Sequence, residues 1–109
     1  MEFGLQEKII YKIRHVLSLF PEIEEAILFG SRAKGNFRAG SDIDLALKGD
    51  GLSLSVMNQL GTQLDDLLSP YTFELSLLSQ IADSEVLDHI RRVGISFYRR
   101  QETGKREKV

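Results

Sequence analysis

The chain has 109 residues, no cysteine and a formal net charge of −2. This length is typical of one domain, and a hydrophobic content of 42% argues against intrinsic disorder. The absence of cysteine excludes disulfides, thiolate metal sites and a cysteine nucleophile. No apolar run approaches the roughly 20 residues of a membrane span, so we expect a cytoplasmic protein without membrane contact.

Charge is divided unevenly along the chain. Residues 91–109 carry seven basic and two acidic side chains, a net +5, which leaves −7 for residues 1–90. An acidic body disfavours direct nucleic-acid binding, because such binding depends on neutralising phosphates. We expect residues 1–100 to form a single domain and residues 101–109 to form a basic, disordered tail.

Hydrophobic periodicity predicts helices and strands in an α+β arrangement. Breaks at Pro21, Gly49-Asp50-Gly51, Ser69-Pro70 and Gly94 separate the elements. In chain order we predict a helix over 5–19, strands over 26–29 and 42–48, a helix over 56–68, a strand over 72–78, a helix over 84–93 capped by Asp83 or Ser84, and a strand over 95–98.

Three acidic residues lie on two of the predicted strands. Asp42 and Asp44 are two residues apart, so their side chains share one face, with Cα atoms about 7 Å apart. Such a pair repels unless a hard cation bridges it, and carboxylates with open water positions suit Mg²⁺ together with substrate phosphates. Glu74 lies on the polar face of its own strand. If the two strands are neighbours, the three acids predict a two-metal phosphoryl or nucleotidyl transfer site, with Glu74 as ligand or base.

The segment from Gly30 to Gly35, of sequence Gly-Ser-Arg-Ala-Lys-Gly, follows the first predicted strand. A strand that leads into a helical turn presents backbone N–H groups that bind phosphate. We expect Ser31 to cap this turn and to donate its hydroxyl to a phosphate oxygen, and Arg32 or Lys34 to add positive charge. Taken alone, the glycines are better explained by a plain turn and the acids by solvated strand positions, and it is their joint appearance that favours a site.

The two histidines, His15 and His89, are isolated on predicted helices, and we expect structural or solvated roles for both. No Ser-His-Asp arrangement is supported. The glycine segment also lacks the Lys-Ser/Thr pair that completes a phosphate-binding P-loop, because Asn36-Phe37 stands there.

The sequence resembles a known superfamily. Gly30-Ser31, ten intervening residues and Asp42-x-Asp44 are similar to the G-S-x10-D-x-D signature of the DNA polymerase β-like nucleotidyltransferases, in particular their minimal (MNT) branch. The resemblance, which extends from the first helix to about Arg100, implies a mixed sheet of about four strands with helices packed on one face and a Mg²⁺-ATP site on the other. It implies phosphate binding by Gly30 and Ser31, metal binding by Asp42 and Asp44, and a third carboxylate at Glu74, where many members have Asp.

The resemblance also implies a partner. Minimal members are often encoded beside a helical HEPN protein, a toxin with ribonuclease activity; the MNT protein acts as antitoxin, and some members transfer AMP from ATP to a tyrosine of the toxin. The short chain leaves no residues for a separate acceptor-binding domain, so we expect a hetero-oligomer with a HEPN toxin. Two alternatives stay open: a non-catalytic antitoxin that binds its partner stoichiometrically, and a nucleotidyltransferase for a small molecule.

Overall fold

The computed structural model describes residues 1–101. Four strands, four α-helices and one short 3-10 turn follow one another along this part of the chain. Their bounds are α1 Glu7–Ser18, β1 Glu25–Phe29, α2 Gly30–Lys34, β2 Ile43–Lys48, α3 Leu54–Leu68, β3 Phe73–Leu77, the 3-10 turn Leu78–Gln80, α4 Ser84–Val93 and β4 Ile95–Arg99. The predicted α+β class is confirmed, and the tail predicted over 101–109 lies, after Gln101, outside the described residues.

The four strands form one mixed sheet in the order β3-β2-β1-β4. β1 runs antiparallel to both of its neighbours, whereas β2 and β3 are parallel. Parallel strands need a crossover, and α3 supplies it between β2 and β3. The first residues of β2 and β3 therefore lie at the same end of the sheet, next to the last residues of the antiparallel β1.

The hydrophobic core lies between one face of the sheet and the helices α1 and α3. Alternate residues of the strands point into it, as expected for a sheet with one buried face. The buried side chains are Ile10, Ile13, Val16 and Leu17 of α1, Leu60, Leu64 and Leu68 of α3, and Ala26, Leu28, Ile43, Leu45, Leu47 and Phe97 of the strands.

Helix α4 lies on the opposite face of the sheet. Phe29 pairs with Asp44 in the sheet register, so both side chains are on that second face. The Phe29 ring meets the His89 ring of α4 edge-on with 6.2 Å between centroids, and a Cβ at Gly94 would lie 2.8 Å from Cγ2 of Ile27. The expectation of helices on one face therefore holds for α1 and α3 but not for α4. The reason is topological: the connection from β3 to β4 joins opposite edges of the sheet, and α1 and α3 already cover the core face.

The helix ends follow local capping chemistry. Ser53 accepts a hydrogen bond from the Val56 N–H and starts α3 two residues earlier than predicted, and Asp83 accepts from the Glu85 N–H at the start of α4, as predicted. None of the helices within residues 1–101 is long and apolar enough to cross a membrane.

Candidate active site

The glycine segment forms the turn between β1 and α2. Gly30 has φ +76°, a left-handed conformation that favours glycine. A Cβ at this position would lie 2.0 Å from Oδ2 of Asp44, so any side chain here would displace the Asp44 carboxylate. The missing side chain therefore allows the start of α2 to pack directly against the Asp44 carboxylate, so the predicted phosphate turn and the predicted metal ligand touch.

The two aspartates occupy the beginning of β2 on the face that α1 and α3 leave free. Asp44 is half-buried, whereas Asp42 is exposed. Burial, together with the smaller effect of the charges of Asp42 and Glu74, raises the pKa of Asp44 to about 6. A raised pKa means that the ionised carboxylate is disfavoured at this position. A cation bound between the neighbouring acids would stabilise the ionised form, so this is a candidate cation site.

Glu74 stands beside Asp44 on the neighbouring strand. The parallel register of β2 and β3 aligns Glu74 with Asp44, so both side chains point to the same face. Glu74 is exposed. The structure thus brings together the three acids that the sequence suggested, because β2 and β3 are neighbours.

Asp42 is held by a residue that the sequence analysis did not single out. The hydroxyl of Thr72 donates a hydrogen bond to Oδ1 of Asp42. The Ile43 N–H donates to the Thr72 carbonyl oxygen at 2.8 Å, which fixes the two strand entries against each other. The alternation of Thr72 with Glu74 was the available sequence signal, since residues two apart on a strand share a face.

Arg32 is buried and already hydrogen-bonded, which argues against the phosphate contact that the sequence suggested for it. Its side chain is 2% exposed, and its guanidinium donates to the carbonyl oxygens of Ser41 and Phe3 at 2.8–3.2 Å. The guanidinium also stacks over the rings of Phe37 and Tyr71, at 5.6 and 5.9 Å from their centroids. Arg32 is therefore a structural residue that ties α2 to the N-terminal turn and to the loop before Asp42.

Ser31 and Lys34 occupy different places in α2. Ser31 does not cap the helix as predicted: the helix begins at Gly30, Phe29 is the capping position, and no side chain bonds there. Ser31 lies in the first helical turn, where backbone N–H groups have no partner within the helix. Lys34 is exposed three residues later, so it shares a helix face with Ser31.

His89 contacts the glycine turn from α4. The Gly30 N–H donates a hydrogen bond to Nε2 of His89 at 3.0 Å. This contact was not predictable from the sequence, because 59 residues separate the two partners and the face on which α4 packs does not follow from periodicity.

The donor set fits a magnesium ion only together with a substrate. Within residues 1–101, no three His, Cys, Asp or Glu side chains are arranged to hold a metal ion on their own. Mg²⁺ commonly uses one or two carboxylates, several waters and substrate phosphates. Asp42 and Asp44, which lie beside the Gly30 turn, supply oxygen ligands of that kind.

A cleft of about 320 Å³ opens beside these residues. It is lined by Ala39, Gly40, Ser41, Pro70, Tyr71 and Thr72. Because Thr72 also bonds Asp42, the cleft adjoins Asp42.

Fold and site together define a nucleotidyl-transfer scaffold, and the family comparison agrees. The family described as "Polymerase beta, Nucleotidyltransferase" matches residues 11–103, so this chain belongs to the polymerase β nucleotidyltransferase family. No curated protein gives a significant match to the sequence.

Several solved structures share the fold. A chain of a toxin–antitoxin complex with AMP-PNP is 24% identical, with a TM-score of 0.66 over 93% of this chain and 79% of that chain. A chain of tri-AMPylated Shewanella oneidensis HEPN toxin in complex with MNT antitoxin is 20% identical, with a TM-score of 0.65 over 93% and 78%. A protein provisionally assigned as a minimal nucleotidyltransferase is 26% identical, with a TM-score of 0.66 over 87% and 95%.

Proposed function

We propose that this protein is a Mg²⁺-dependent protein adenylyltransferase that transfers AMP from ATP to a tyrosine of a HEPN toxin and thereby acts as its antitoxin. The observation that carries the proposal is the close approach of Gly30 to the Asp44 carboxylate, since the proposed phosphate-binding turn and a proposed metal ligand are then neighbours. Membership of the nucleotidyltransferase family supports the reaction class. The toxin–antitoxin neighbours, one with AMP-PNP and one with an AMPylated HEPN toxin, support the nucleotide and the acceptor.

In the proposed complex, ATP lies across the start of β2. Asp42 and Asp44 would hold Mg²⁺, which would supply positive charge to stabilise the charge on the phosphates. Ser31 donates its hydroxyl and backbone N–H to phosphate oxygens, and Lys34 adds charge from the same helix face. Thr72 keeps Asp42 in position through its hydrogen bond.

The transfer is an in-line displacement at the α-phosphorus of ATP. The tyrosine hydroxyl oxygen forms a bond to this phosphorus, and the bond between the α-phosphorus and the bridging oxygen breaks with its electron pair on the leaving pyrophosphate. The phenolic proton passes to the Glu74 carboxylate, which the sheet register places next to Asp44.

Intact-protein mass spectrometry tests the proposal. The chain is incubated with ATP, Mg²⁺ and the purified product of its neighbouring gene, the expected HEPN partner, and we expect mass increments of whole AMP units on that partner. Asp42→Asn removes a proposed ligand and should abolish the increments. Asp66→Asn makes the same charge change at an exposed position of α3, on the core side of the sheet, and should leave them unchanged.

Three outcomes separate the alternatives. A stable complex without any increment contradicts transfer and favours a stoichiometric antitoxin. If Asp42→Asn still protects cells from the toxin, neutralisation does not need catalysis. A nucleotidylated small molecule in place of a modified protein would instead identify a small-molecule transferase.

A further inference from the structure

We infer that His89 is a positioning residue for nucleotide binding: its Nε2 accepts the Gly30 N–H and holds the glycine turn in the conformation that receives phosphate. The hydrogen bond measures 3.0 Å and connects α4 to the first residue of α2. This inference rests on the proposed function, since it concerns the nucleotide that the same turn would bind.

The chemical state of the histidine follows from the direction of the hydrogen bond. A backbone N–H can only donate, so Nε2 must carry a lone pair and the ring proton must be on Nδ1. The ring is also fixed by its edge-on contact with Phe29, with an interplanar angle of 74°. His89 therefore presents a fixed acceptor to a fixed point of the backbone.

The glycine turn needs such an acceptor. Gly30 lacks a side chain and sits at φ +76°, and a glycine can exchange between several backbone conformations at little cost. α2 has only five residues, too few to be stable as an isolated helix. A hydrogen bond to the Gly30 N–H restrains the peptide plane between Phe29 and Gly30, which sets the direction in which the next N–H groups and the Ser31 hydroxyl point.

The same hydrogen bond determines which N–H groups of the turn remain available to a phosphate. Because His89 takes the Gly30 N–H, that N–H is not a phosphate ligand, and phosphate binding falls to Ser31 and the N–H groups after it. A turn that is already ordered loses less conformational entropy when the nucleotide binds, which favours tighter binding.

Two variants distinguish the contribution of the hydrogen-bond acceptor of His89 from that of its ring packing. His89→Gln keeps an acceptor oxygen near the position of Nε2 but removes the ring, whereas His89→Phe keeps a ring against Phe29 but removes the acceptor. Titration calorimetry of the full chain with Mg·AMP-PNP should show Kd about threefold to tenfold higher for His89→Phe, the range expected for one neutral hydrogen bond. His89→Gln should stay within about twofold of the unmodified chain.

A second measurement does not depend on nucleotide affinity. In NMR spectra of the nucleotide-free chain, the Gly30 amide should exchange with solvent about threefold to tenfold faster in His89→Phe than in His89→Gln. The ¹⁵N shifts of His89 should show the Nδ1–H tautomer. If the unmodified chain does not bind Mg·AMP-PNP, the proposed function fails, and the amide exchange and tautomer still decide whether His89 holds the turn.

Four results would overturn the role of His89. They are an unchanged Kd in His89→Phe, an equal loss of affinity in both variants, a proton on Nε2 in the nucleotide-free chain, or equal Gly30 amide exchange in the two variants. The first two would mean that the acceptor has no influence on nucleotide binding, and the last two that the hydrogen bond does not restrain the turn.

Discussion

Replacing Asp44 by Asn should stabilise the protein when no metal is present. Burial is the main cause that raises the pKa of Asp44 to about 6, and the charges of Asp42 and Glu74 follow. The ionised carboxylate is therefore disfavoured in the folded chain relative to the unfolded chain, where the usual value of 3.8 applies. Asn has the same shape as the protonated carboxyl and removes the charge.

The size and sign of the effect follow from linkage between protonation and folding. A pKa rise from 3.8 to about 6 corresponds to about 3 kcal/mol of unfolding free energy, and we expect about half of it because the carboxyl borders solvent. Well below pH 3.8 the carboxyl is protonated in both states and costs nothing. As the pH rises to about 6 the cost develops, and well above that value it is complete. The Asn variant should thus be only about 0.3 kcal/mol more stable than the unmodified chain at pH 4 and about 1.5 kcal/mol more stable at pH 7.5.

Urea denaturation in EDTA, from pH 4 to pH 8, measures this difference. Glu74→Gln is the matched control, because it removes one of the charges that raise the pKa of Asp44 and should recover part of the same stabilisation. Addition of Mg·AMP-PNP should reverse the order, since only the unmodified chain keeps both aspartates. A variant that is less stable than the unmodified chain at pH 7.5 in EDTA, or a difference that does not change with pH, would refute the reasoning and give Asp44 a structural role.

Three further predictions concern the residues around the turn. Gly30→Ala should cost at least ~1 kcal/mol more than Gly35→Ala in urea denaturation: both meet the left-handed penalty, but only Gly30 also meets Asp44. Arg32→Ala should cost about 3 kcal/mol, because two carbonyl oxygens lose their donor, and Lys34→Ala should change stability by less than ~0.5 kcal/mol yet weaken Mg·AMP-PNP binding. A smaller loss of unfolding free energy in Arg32→Ala than in Lys34→Ala would contradict the structural role assigned to Arg32. Thr72→Val should lower Mg²⁺ affinity about tenfold, measured by competition with Mn²⁺, while Thr72→Ser retains it.

The parts of the fold that the sequence predicted are those set by local pattern. Alternating apolar residues place β2 and β3, and the spacing of Asp42 and Asp44 alone puts both on one face. Gly94 and the Asp83 cap mark the ends of α4 through chemistry that acts over a few residues. The third acid depended on which strands are neighbours, and the resemblance to a known superfamily supplied that information.

What the sequence could not predict depends on contacts between distant residues. Arg32 lies in a glycine segment that resembles a phosphate loop, so its charge suggested an ionic role. Its burial follows from Phe3, Phe37 and Tyr71, which come from three separate parts of the chain. The position of α4 likewise depends on which sheet face is already covered, and periodicity shows only that a helix has an apolar side.

The two faces of the sheet have different roles. Helices α1 and α3 pack on one face, and the candidate site, beside α2, occupies the other. α1 and α3 cover one face completely, and Arg14 of α1 also donates to the Phe97 carbonyl oxygen on the edge strand β4. The other face carries Asp44, whose ionised form costs stability, so the geometry of this face has to be imposed by other contacts.

Helix α2 is too short to hold the site in place by its own hydrogen bonds. The Arg32 guanidinium of α2 donates to the Ser41 carbonyl oxygen, one residue before Asp42. Nε2 of His89, on α4, accepts the first N–H of α2. The Gly30 turn and the residue before Asp42 are therefore connected through one buried side chain. Loss of Arg32 should disturb both the proposed phosphate turn and the proposed metal ligand Asp42.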